Sequence, residues 1–168
     1  MWCATMIWSG DKLYQWAKTA ITPFEPDNVN VASVDLRIGK YYRIPTPDGW
    51  SEPTEIPVDG LKLSNQDFVL LHTLEFVQFP LTACGKLFLK SSAGRLGLEH
   101  AHAGFCDAGF SGELTLEMTN HWPYGNIIRY GDRLLQITLE DVSEPVDYSI
   151  QGHYQNQVGP TPSWKDNK

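Results

Sequence analysis

The chain has no apolar run close to the roughly 20 residues that a membrane-spanning helix needs, which argues against a helical membrane protein. It also has no cluster of basic residues: 20 acidic residues outnumber 13 basic ones, and the formal net charge is −7. A surface that binds duplex nucleic acid needs clustered Lys and Arg, so we expect no nucleic-acid partner. An acidic chain can still bind a small anion when a divalent cation offsets the charge of that anion.

Cysteine is scarce, and the motifs of several enzyme classes are missing. The three cysteines, Cys3, Cys84 and Cys106, are odd in number and widely spaced, which indicates a reducing compartment rather than a disulfide framework or a zinc cluster. The first residues lack the positive segment of a signal peptide, so we expect none. The absence of C-x-x-C argues against a zinc nucleobase deaminase, and the G-x-S-x-G turn of serine hydrolases is also absent.

What the sequence does contain is a succession of short strand-like segments separated by turns. These segments are residues 30–38, 67–77, 86–90, 113–118, 126–128 and 133–140. A helix is predicted over residues 10–18, with Ser9 as its cap and with Leu13 and Trp16 on its buried face. Many short strands with one or two short helices predict an all-β barrel or sandwich, and a chain of 168 residues fits one domain.

Three further segments allow simple structural interpretations. Asp35 and Arg37 lie two residues apart on one face of the first strand, which predicts an ion pair between them. Residues 45–60 contain four prolines and are predicted to form a long loop or an extended edge. Residues 148–168 show little apolar periodicity, which leaves two alternatives open, a disordered terminus or a mobile lid.

Residues 104–117 form the strongest candidate for the floor of an active site, because a glycine-rich turn runs directly into an alternating strand. Asp107 sits in the turn, where the backbone can approach a ligand, although an Asp in a turn often bonds only its own backbone. Phe110, in the same turn, could lie flat against a sugar ring and exclude a 2′-hydroxyl group.

The strand that follows this turn carries Glu113, Thr115 and Glu117 on one face and apolar side chains on the other. The two glutamates are roughly 13 Å apart at ~3.3 Å per residue, which is too far for a glycosidase pair. Glu117 in an apolar neighbourhood would have a raised pKa and could shuttle protons. The alternative is an ordinary solvated strand face.

Residues 90–95, with the sequence KSSAGR, place two hydroxyl groups, two cations and a glycine at the end of an apolar strand. Hydroxyl groups, backbone N–H groups in a turn and an arginine suit phosphate oxygens. As a bare pattern, this segment is equally well explained as a surface turn.

Six segments, taken in order, resemble the dCTP deaminase branch of the trimeric dUTPase superfamily across nearly the whole chain. They are NVASVDLRIG (30–39), HTLEFVQFP (72–80), KSSAGRLGL (90–98), AGFCDAGFSGELTLEMTN (103–120), GDRLLQI (131–137) and HYQNQVGPTPS (153–163). The resemblance implies a distorted, jelly-roll-like β-barrel of the dUTPase fold. It also implies a homotrimer with sites at the subunit interfaces, and a single domain over residues 1–168 in which 148–168 are a closing segment.

The resemblance also implies the chemistry and the residues that carry it out. The activity would be zinc-independent deamination of dCTP, with Mg²⁺ held through the triphosphate and with no direct protein ligand. The implied catalytic residues are Glu117, Asp107, Ser91 and Arg95. The implied substrate-binding residues are Lys90, Ser92, His102, Ala103, Phe110, Gln136, Tyr154 and Gln157.

The roles that the resemblance assigns divide between the base and the phosphates. Glu117 would activate water for attack on C4 of cytosine, with Ser91 and Arg95 holding the water and the carboxylate in place. Asp107 would orient water at the triphosphate and contact the 3′-hydroxyl group. Gln157 would belong to the segment that closes over the triphosphate.

The motif at residues 103–110 closely follows the pattern A-G-[FW]-I-D-x-G-F of bifunctional enzymes, with Cys106 at the Ile position, so the resemblance favours conversion of dCTP to dUMP. Three alternatives remain: dUTP hydrolysis only, activity on a modified dCTP or dUTP analogue, and a non-catalytic nucleotide-sensing trimer. His102 stands where a Thr beside the base is usual, which is the departure that bears on base specificity.

Expected partners are dCTP, dUTP and, for feedback, dTTP. The expected location is the cytoplasm of a bacterium or of a virus-infected cell.

Overall fold

The computed structural model describes residues 6–101 and 103–167, and strands dominate this part of the chain. The helices are α1 (Gly10–Ala20) and α2 (Ser91–Gly94), and short 3-10 turns span Pro26–Asn28, Tyr148–Ile150 and Trp164–Asn167. The strands are β1 (Ile21–Thr22), β2 (Val34–Arg37), β3 (Tyr41–Tyr42), β4 (Pro45–Thr46), β5 (Gly49–Trp50), β6 (Thr54–Glu55), β7 (Leu61–Leu63), β8 (Phe68–Gln78), β9 (Ala83–Leu89), β10 (Leu98–His100), β11 (Phe105–Cys106), β12 (Ser111–Asn120), β13 (Asn126–Ile128) and β14 (Arg133–Asp141).

Two antiparallel four-stranded sheets organise the fold. The first has the strand order β1-β8-β12-β10 and the second has the order β11-β9-β14-β2, while the other strands form two-stranded pairs. Side chains from both sheets, among them Leu36, Leu71, Leu116 and Leu135, share one hydrophobic core and are fully buried. The predicted all-β class is therefore confirmed, and the two helices match the expected one or two.

Strand β12 shows how the sequence pattern sets the fold. Leu114, Leu116 and Met118 are buried, while the residues between them, from Glu113 to Glu117, are only partly buried. The alternation that predicted two faces in the sequence is thus observed. The apolar face of β12 packs into the core, and the partly buried face remains accessible to a ligand.

The N-terminal helix forms where the apolar spacing predicted it, and Leu13 and Trp16 are buried as expected. Ser9 occupies the N-cap position, but its side chain makes no capping hydrogen bond, so that detail of the prediction is wrong. The helix is held by its apolar face instead, and the Trp16 indole donates a hydrogen bond of 3.0 Å to the carbonyl of Gln78 on β8.

The predicted ion pair between Asp35 and Arg37 does not form. Arg37 Nε lies 2.7 Å from one carboxylate oxygen of Glu75, and its backbone N–H donates to the other at 2.9 Å. Asp35 instead pairs with Lys90 and accepts a hydrogen bond of 2.9 Å from Asn30. Both carboxylates are buried, and each pairs with a cation from another strand region. Lys90 follows β9, which β14 separates from β2, and Glu75 lies on β8 of the other sheet.

The proline-rich segment 45–60 is not a featureless loop, because β4 and β5 form a small hairpin within it. This hairpin ends at Trp50, whose ring packs on that of Phe68 at 5.7 Å between centroids.

No helix in the described part of the chain is long and apolar enough to cross a membrane.

Candidate active site

A cavity of about 580 Å³ opens between the turn before β12, the partly buried face of β12 and the C-terminal segment. Six of the residues that the sequence indicated line this cavity, namely Ala103, Asp107, Phe110, Glu117, Tyr154 and Gln157. They come from two separate stretches of the chain, residues 103–117 and 154–157. The fold therefore brings together half of the predicted site within one subunit.

Glu117 lies midway along β12, in register with Leu70 of β8. Its side chain is 30% exposed, and His100 Nδ1 lies 3.8 Å from its Oε2 atom. Among the described residues, Oε2 is buried and has no hydrogen-bond partner. Burial raises the pKa of Glu117 above its ordinary value, because the charged form loses hydration. A partly buried carboxyl group with a raised pKa is suited to exchange protons with a bound ligand.

Asp107 is exposed and lies in the turn that leads into β12. Its carbonyl oxygen accepts the backbone N–H of Phe110 at 3.2 Å, and Gly109 closes the turn with a φ of +82°. A side chain at Gly109 would also meet Asp147 at 2.7 Å, so glycine is required by both conformation and space. The turn thereby presents an exposed carboxylate at the cavity.

Phe110 forms part of an aromatic wall beside Asp107. Its ring lies 5.6 Å from that of Tyr148 in an edge-on arrangement and 6.2 Å from that of Phe79. The side chain is only 6% exposed, so its orientation is fixed by packing. A rigid aromatic ring at the cavity suits contact with the apolar side of a ring-shaped ligand.

The C-terminal segment packs along the edge of β12 that β10 leaves free. Asn156 N–H donates to the carbonyl of Ser111 at 2.7 Å, and Gln157 exchanges backbone and side-chain hydrogen bonds with Glu113. Thr161 N–H donates to Thr115 Oγ1 at 3.1 Å. The sequence left open whether this segment is a disordered terminus or a mobile lid. In the structure it follows a defined path along β12 and forms one wall of the cavity.

Of the remaining predicted residues, those that the structure describes lie elsewhere on the chain. Ser91, Ser92 and Arg95 are exposed on and after α2, and none of them lines the cavity in the described structure. Lys90 precedes α2 and is paired with Asp35, while the side chain of Gln136 on β14 lies 3.4 Å from that of Ser33. His102 lies outside the described residues.

Comparison with known proteins assigns the chain to a family. The model of the dCTP deaminase-like family matches residues 7–142. The chain belongs to that family. A dCTP deaminase, dUMP-forming, from Salinispora arenicola is 36% identical and covers 86% of this chain and 85% of the relative. The corresponding protein of Corynebacterium glutamicum is 35% identical, over 85% of this chain and 86% of the relative.

A solved structure supports the fold of this dCTP deaminase-like chain. The crystal structure of 2′-deoxycytidine 5′-triphosphate deaminase from Agrobacterium tumefaciens matches with a TM-score of 0.68 at 22% identity. The match covers 86% of this chain and 51% of that one, so this chain spans about half the length of that protein. The family and the fold that the sequence resemblance implied are both confirmed.

Several cavity residues of this dCTP deaminase-like chain were missed in the sequence. Trp50, Phe68 and Thr161 all line the cavity. Thr115 also does so, and its position between Glu113 and Glu117 on one strand face was a signal that could have identified it. No comparable signal existed for Trp50, because a hairpin in a proline-rich segment brings it to the site.

The side chains that line the cavity can be compared with the ligands that the implied Mg²⁺ would need. Asp107 offers an exposed carboxylate there, but the described residues contain no group of three or more His, Cys, Asp or Glu side chains suited to hold a metal. Burial raises the pKa of Cys106, beside Asp107, to about 12, so its thiol carries no charge at neutral pH. The carboxylate oxygens of Asp107 are the kind of ligand that Mg²⁺ prefers, so this residue fits a cation that would be carried by substrate phosphates.

Proposed function

We propose that this chain converts dCTP to dUMP by two hydrolytic reactions in one cavity. The observation that carries the proposal is that Asp107 and Glu117 line the same cavity in a chain of the dCTP deaminase-like family. The relatives named dCTP deaminase, dUMP-forming, support the same pair of reactions. A buried carboxyl group and an exposed carboxylate suit two different steps, one at the base and one at the phosphates.

In the first reaction, water replaces the amino group of cytosine, so dCTP and water give dUTP and ammonia. Ionised Glu117 takes a proton from the water as its oxygen adds to C4, and delivers this proton to N3. In the resulting adduct, Glu117 takes the proton of the C4 hydroxyl group and passes it to the amino group, so that the C4 carbonyl forms, the C4–N bond breaks and ammonia leaves. The surroundings that raise the pKa of Glu117 favour these transfers, because the carboxyl group holds a proton more readily than a solvent-exposed Glu does.

In the second reaction, water attacks the α-phosphate, so dUTP and water give dUMP and pyrophosphate. Asp107 orients the water and contacts the 3′-hydroxyl group, while Phe110 packs against the deoxyribose. Bound Mg²⁺ would offset the charge of the triphosphate, which an acidic chain with a net charge of −7 could not do alone. Tyr154 and Gln157 hold the closing segment 148–168 over the phosphates, and Ala103 contacts the base.

A homotrimer gives a role to the predicted site residues on and around α2, which do not line the cavity of their own chain. In the proposed assembly, Ser91 and Arg95 of one subunit reach the water and Glu117 of a neighbour, while Lys90, Ser92 and Gln136 add to its phosphate site. This arrangement accounts for predicted residues that lie on the surface of a single chain. His102 would lie beside the base.

Two further expectations belong to the same proposal. As another pyrimidine deoxynucleoside triphosphate, dTTP would bind in the same cavity and act as a feedback ligand. The enzyme would act in the cytoplasm of a bacterium or of a virus-infected cell, where its substrates occur.

The proposal is tested by incubating the protein with Mg²⁺ and either dCTP or dUTP and separating the products by anion-exchange chromatography. We expect dUMP and pyrophosphate from both substrates, and ammonia from dCTP alone. Turnover of dUTP without turnover of dCTP would reduce the activity to that of a dUTP diphosphatase. Binding of both nucleotides without turnover of either would leave only a nucleotide-sensing role.

A further inference from the structure

Glu113 lies on the same face of β12 as Glu117 but has a different environment. It is not among the described residues that line the cavity, and its side chain is 17% exposed. One oxygen, Oε2, accepts the backbone N–H of Gly159 at 2.6 Å and faces His72 Nδ1 at 2.7 Å. The carboxylate therefore joins β8 to the C-terminal segment.

The hydrogen bonds of His72 fix which of its ring nitrogens carries the proton. The backbone N–H of Tyr41 points at Nε2 from 3.1 Å, so Nε2 is the acceptor and Nδ1 must donate to Glu113. Burial lowers the pKa of His72, although the neighbouring Glu113 opposes this effect, and the neutral ring is favoured. A neutral imidazole with one donor and one acceptor satisfies both contacts.

The imidazole is held in place from several sides. His72 is 5% exposed, its carbonyl accepts Gly39 N–H at 2.7 Å, and its ring stacks on Tyr41 at 6.2 Å between centroids. A side chain at Gly39 would collide with the ring, so glycine makes room for it. The register of β8 and β12 shifts between Glu113 and Thr115, which places Thr115 opposite His72 and brings the ring to Glu113.

The contact at Gly159 is one of a row that holds the segment. Glu113 N–H donates to the carbonyl of Gln157 at 3.0 Å, and Gln157 Nε2 donates to the carbonyl of Glu113 at 2.7 Å. Arg43 Nε donates to the carbonyl of Pro160 at 2.9 Å. Within this row, the bond from Gly159 is to a partly buried, ionisable oxygen, and hydrogen bonds to charged acceptors are stronger than those between neutral groups.

We propose that Glu113, oriented by His72, is a positioning residue that fastens residues 157–161 over the cavity and thereby promotes substrate binding. This inference rests on the proposed function only for its effect on catalysis. The docking of the segment itself can be measured without substrate. Neither side chain needs to touch the reacting atoms, because both act through the position of the segment.

The test compares the variants Glu113→Ala, Glu113→Gln and His72→Ala by hydrogen–deuterium exchange without nucleotide. Loss of both hydrogen bonds in Glu113→Ala should raise exchange of residues 153–163 by roughly 10-fold, with little change in the buried residues 69–71 of β8. Glu113→Gln keeps an acceptor and should remain closer to wild type. The control is Glu99→Ala, which removes an exposed carboxylate that also lies 2.7 Å from a histidine, His121, away from the segment.

Kinetics with dCTP and Mg²⁺ supply the second readout. We expect Glu113→Ala to raise KM by roughly 10-fold while kcat changes much less, because the closed state is still reached at saturation. The double variant with His72→Ala should be no worse than Glu113→Ala alone, since His72 acts through Glu113.

Some results would overturn the inference. Unchanged exchange of residues 153–163 in Glu113→Ala would show that Glu113 does not fasten the segment. An equal rise throughout the core in both Glu113 variants would show a general structural role. Absence of dCTP turnover in the wild type would instead remove the proposed function, and the exchange data would still decide whether Glu113 holds the segment.

Discussion

Asp107 and Glu117 line one cavity although they differ in environment, one exposed in a turn and the other partly buried in the strand that the turn begins. The turn closed by Gly109 connects them directly, so their relative positions depend on a single short stretch of chain. This arrangement suits a ligand with two reactive ends. It leads to separate predictions for each carboxyl group.

Replacing Glu117 by Gln should abolish deamination and spare the phosphate reaction. Glutamine keeps the shape of the side chain but cannot take a proton from water, which should lower ammonia release from dCTP by about 10²–10⁴-fold. Pyrophosphate release from dUTP by the same variant should stay within a few-fold of wild type. An equal loss of both activities would indicate that Glu117 supports the cavity rather than the chemistry.

Replacing Asp107 by Asn should have the opposite effect. The amide cannot orient the attacking water as the carboxylate does, so pyrophosphate release should be lost. Ammonia release from dCTP should continue, and dUTP should accumulate as the final product, which chromatography can detect. Continued formation of dUMP by this variant would rule out the role assigned to Asp107.

The pH profile should reveal the burial of Glu117. The pKa of this carboxyl group is raised from 4.5 by desolvation, and the base must be ionised to take a proton. The value of kcat/KM for deamination should therefore fall as the pH drops through the raised pKa, above the pH at which a free Glu would titrate. In the proposed function, hydrolysis of dUTP does not use Glu117, so its profile should lack this limb. The same limb in both profiles would contradict the assignment.

The Arg37–Glu75 pair should matter for stability. Glu75 is 1% exposed, and Arg37→Met would leave its carboxyl group buried without a cation, at a cost of about 3 kcal/mol in the free energy of unfolding at neutral pH. Because burial already raises the pKa of Glu75, the cost should shrink as the pH falls and the carboxyl group protonates. Urea denaturation measures both effects. The exposed pair of Lys40 and Glu55 provides a control, and Glu55→Ala should leave unfolding unchanged.

The proposed homotrimer predicts that two inactive variants can restore each other. Subunits carrying Glu117→Gln keep Arg95, and subunits carrying Arg95→Ala keep Glu117. In mixed trimers formed by co-refolding, roughly a quarter of the subunit pairs should combine both intact residues and release ammonia from dCTP, if subunits pair at random. No recovery despite mixed trimers would place the complete site within one subunit.

The sequence predicted the structural features that depend on a local pattern of residues. The face that carries Glu117 follows from the alternation along β12, and the turn at Asp107 follows from its glycines. Contacts between distant residues were not predictable in this way. His72 meets Glu113 because of a register shift between strands, and Asp35 meets Lys90 across β14, which lies between β2 and β9 in the sheet.

The C-terminal segment shows the same division. Its composition indicated either disorder or a lid, because polar residues without apolar periodicity carry no local signal for packing. Its order in the structure comes from backbone hydrogen bonds to Ser111 and Glu113 on a strand edge that only the folded sheet exposes. Trp50 reaches the cavity for a similar reason, since β4 and β5 pair only within the folded chain.

The central claim is that both reactions occur in one cavity, and the most direct measurement follows ammonia, pyrophosphate and free dUTP together from the first turnovers of dCTP. The account predicts equal amounts of ammonia and pyrophosphate, with dUMP as the product and with little dUTP in solution. Ammonia without pyrophosphate would contradict the claim that Asp107 acts with Glu117, and absence of ammonia would contradict the deamination itself.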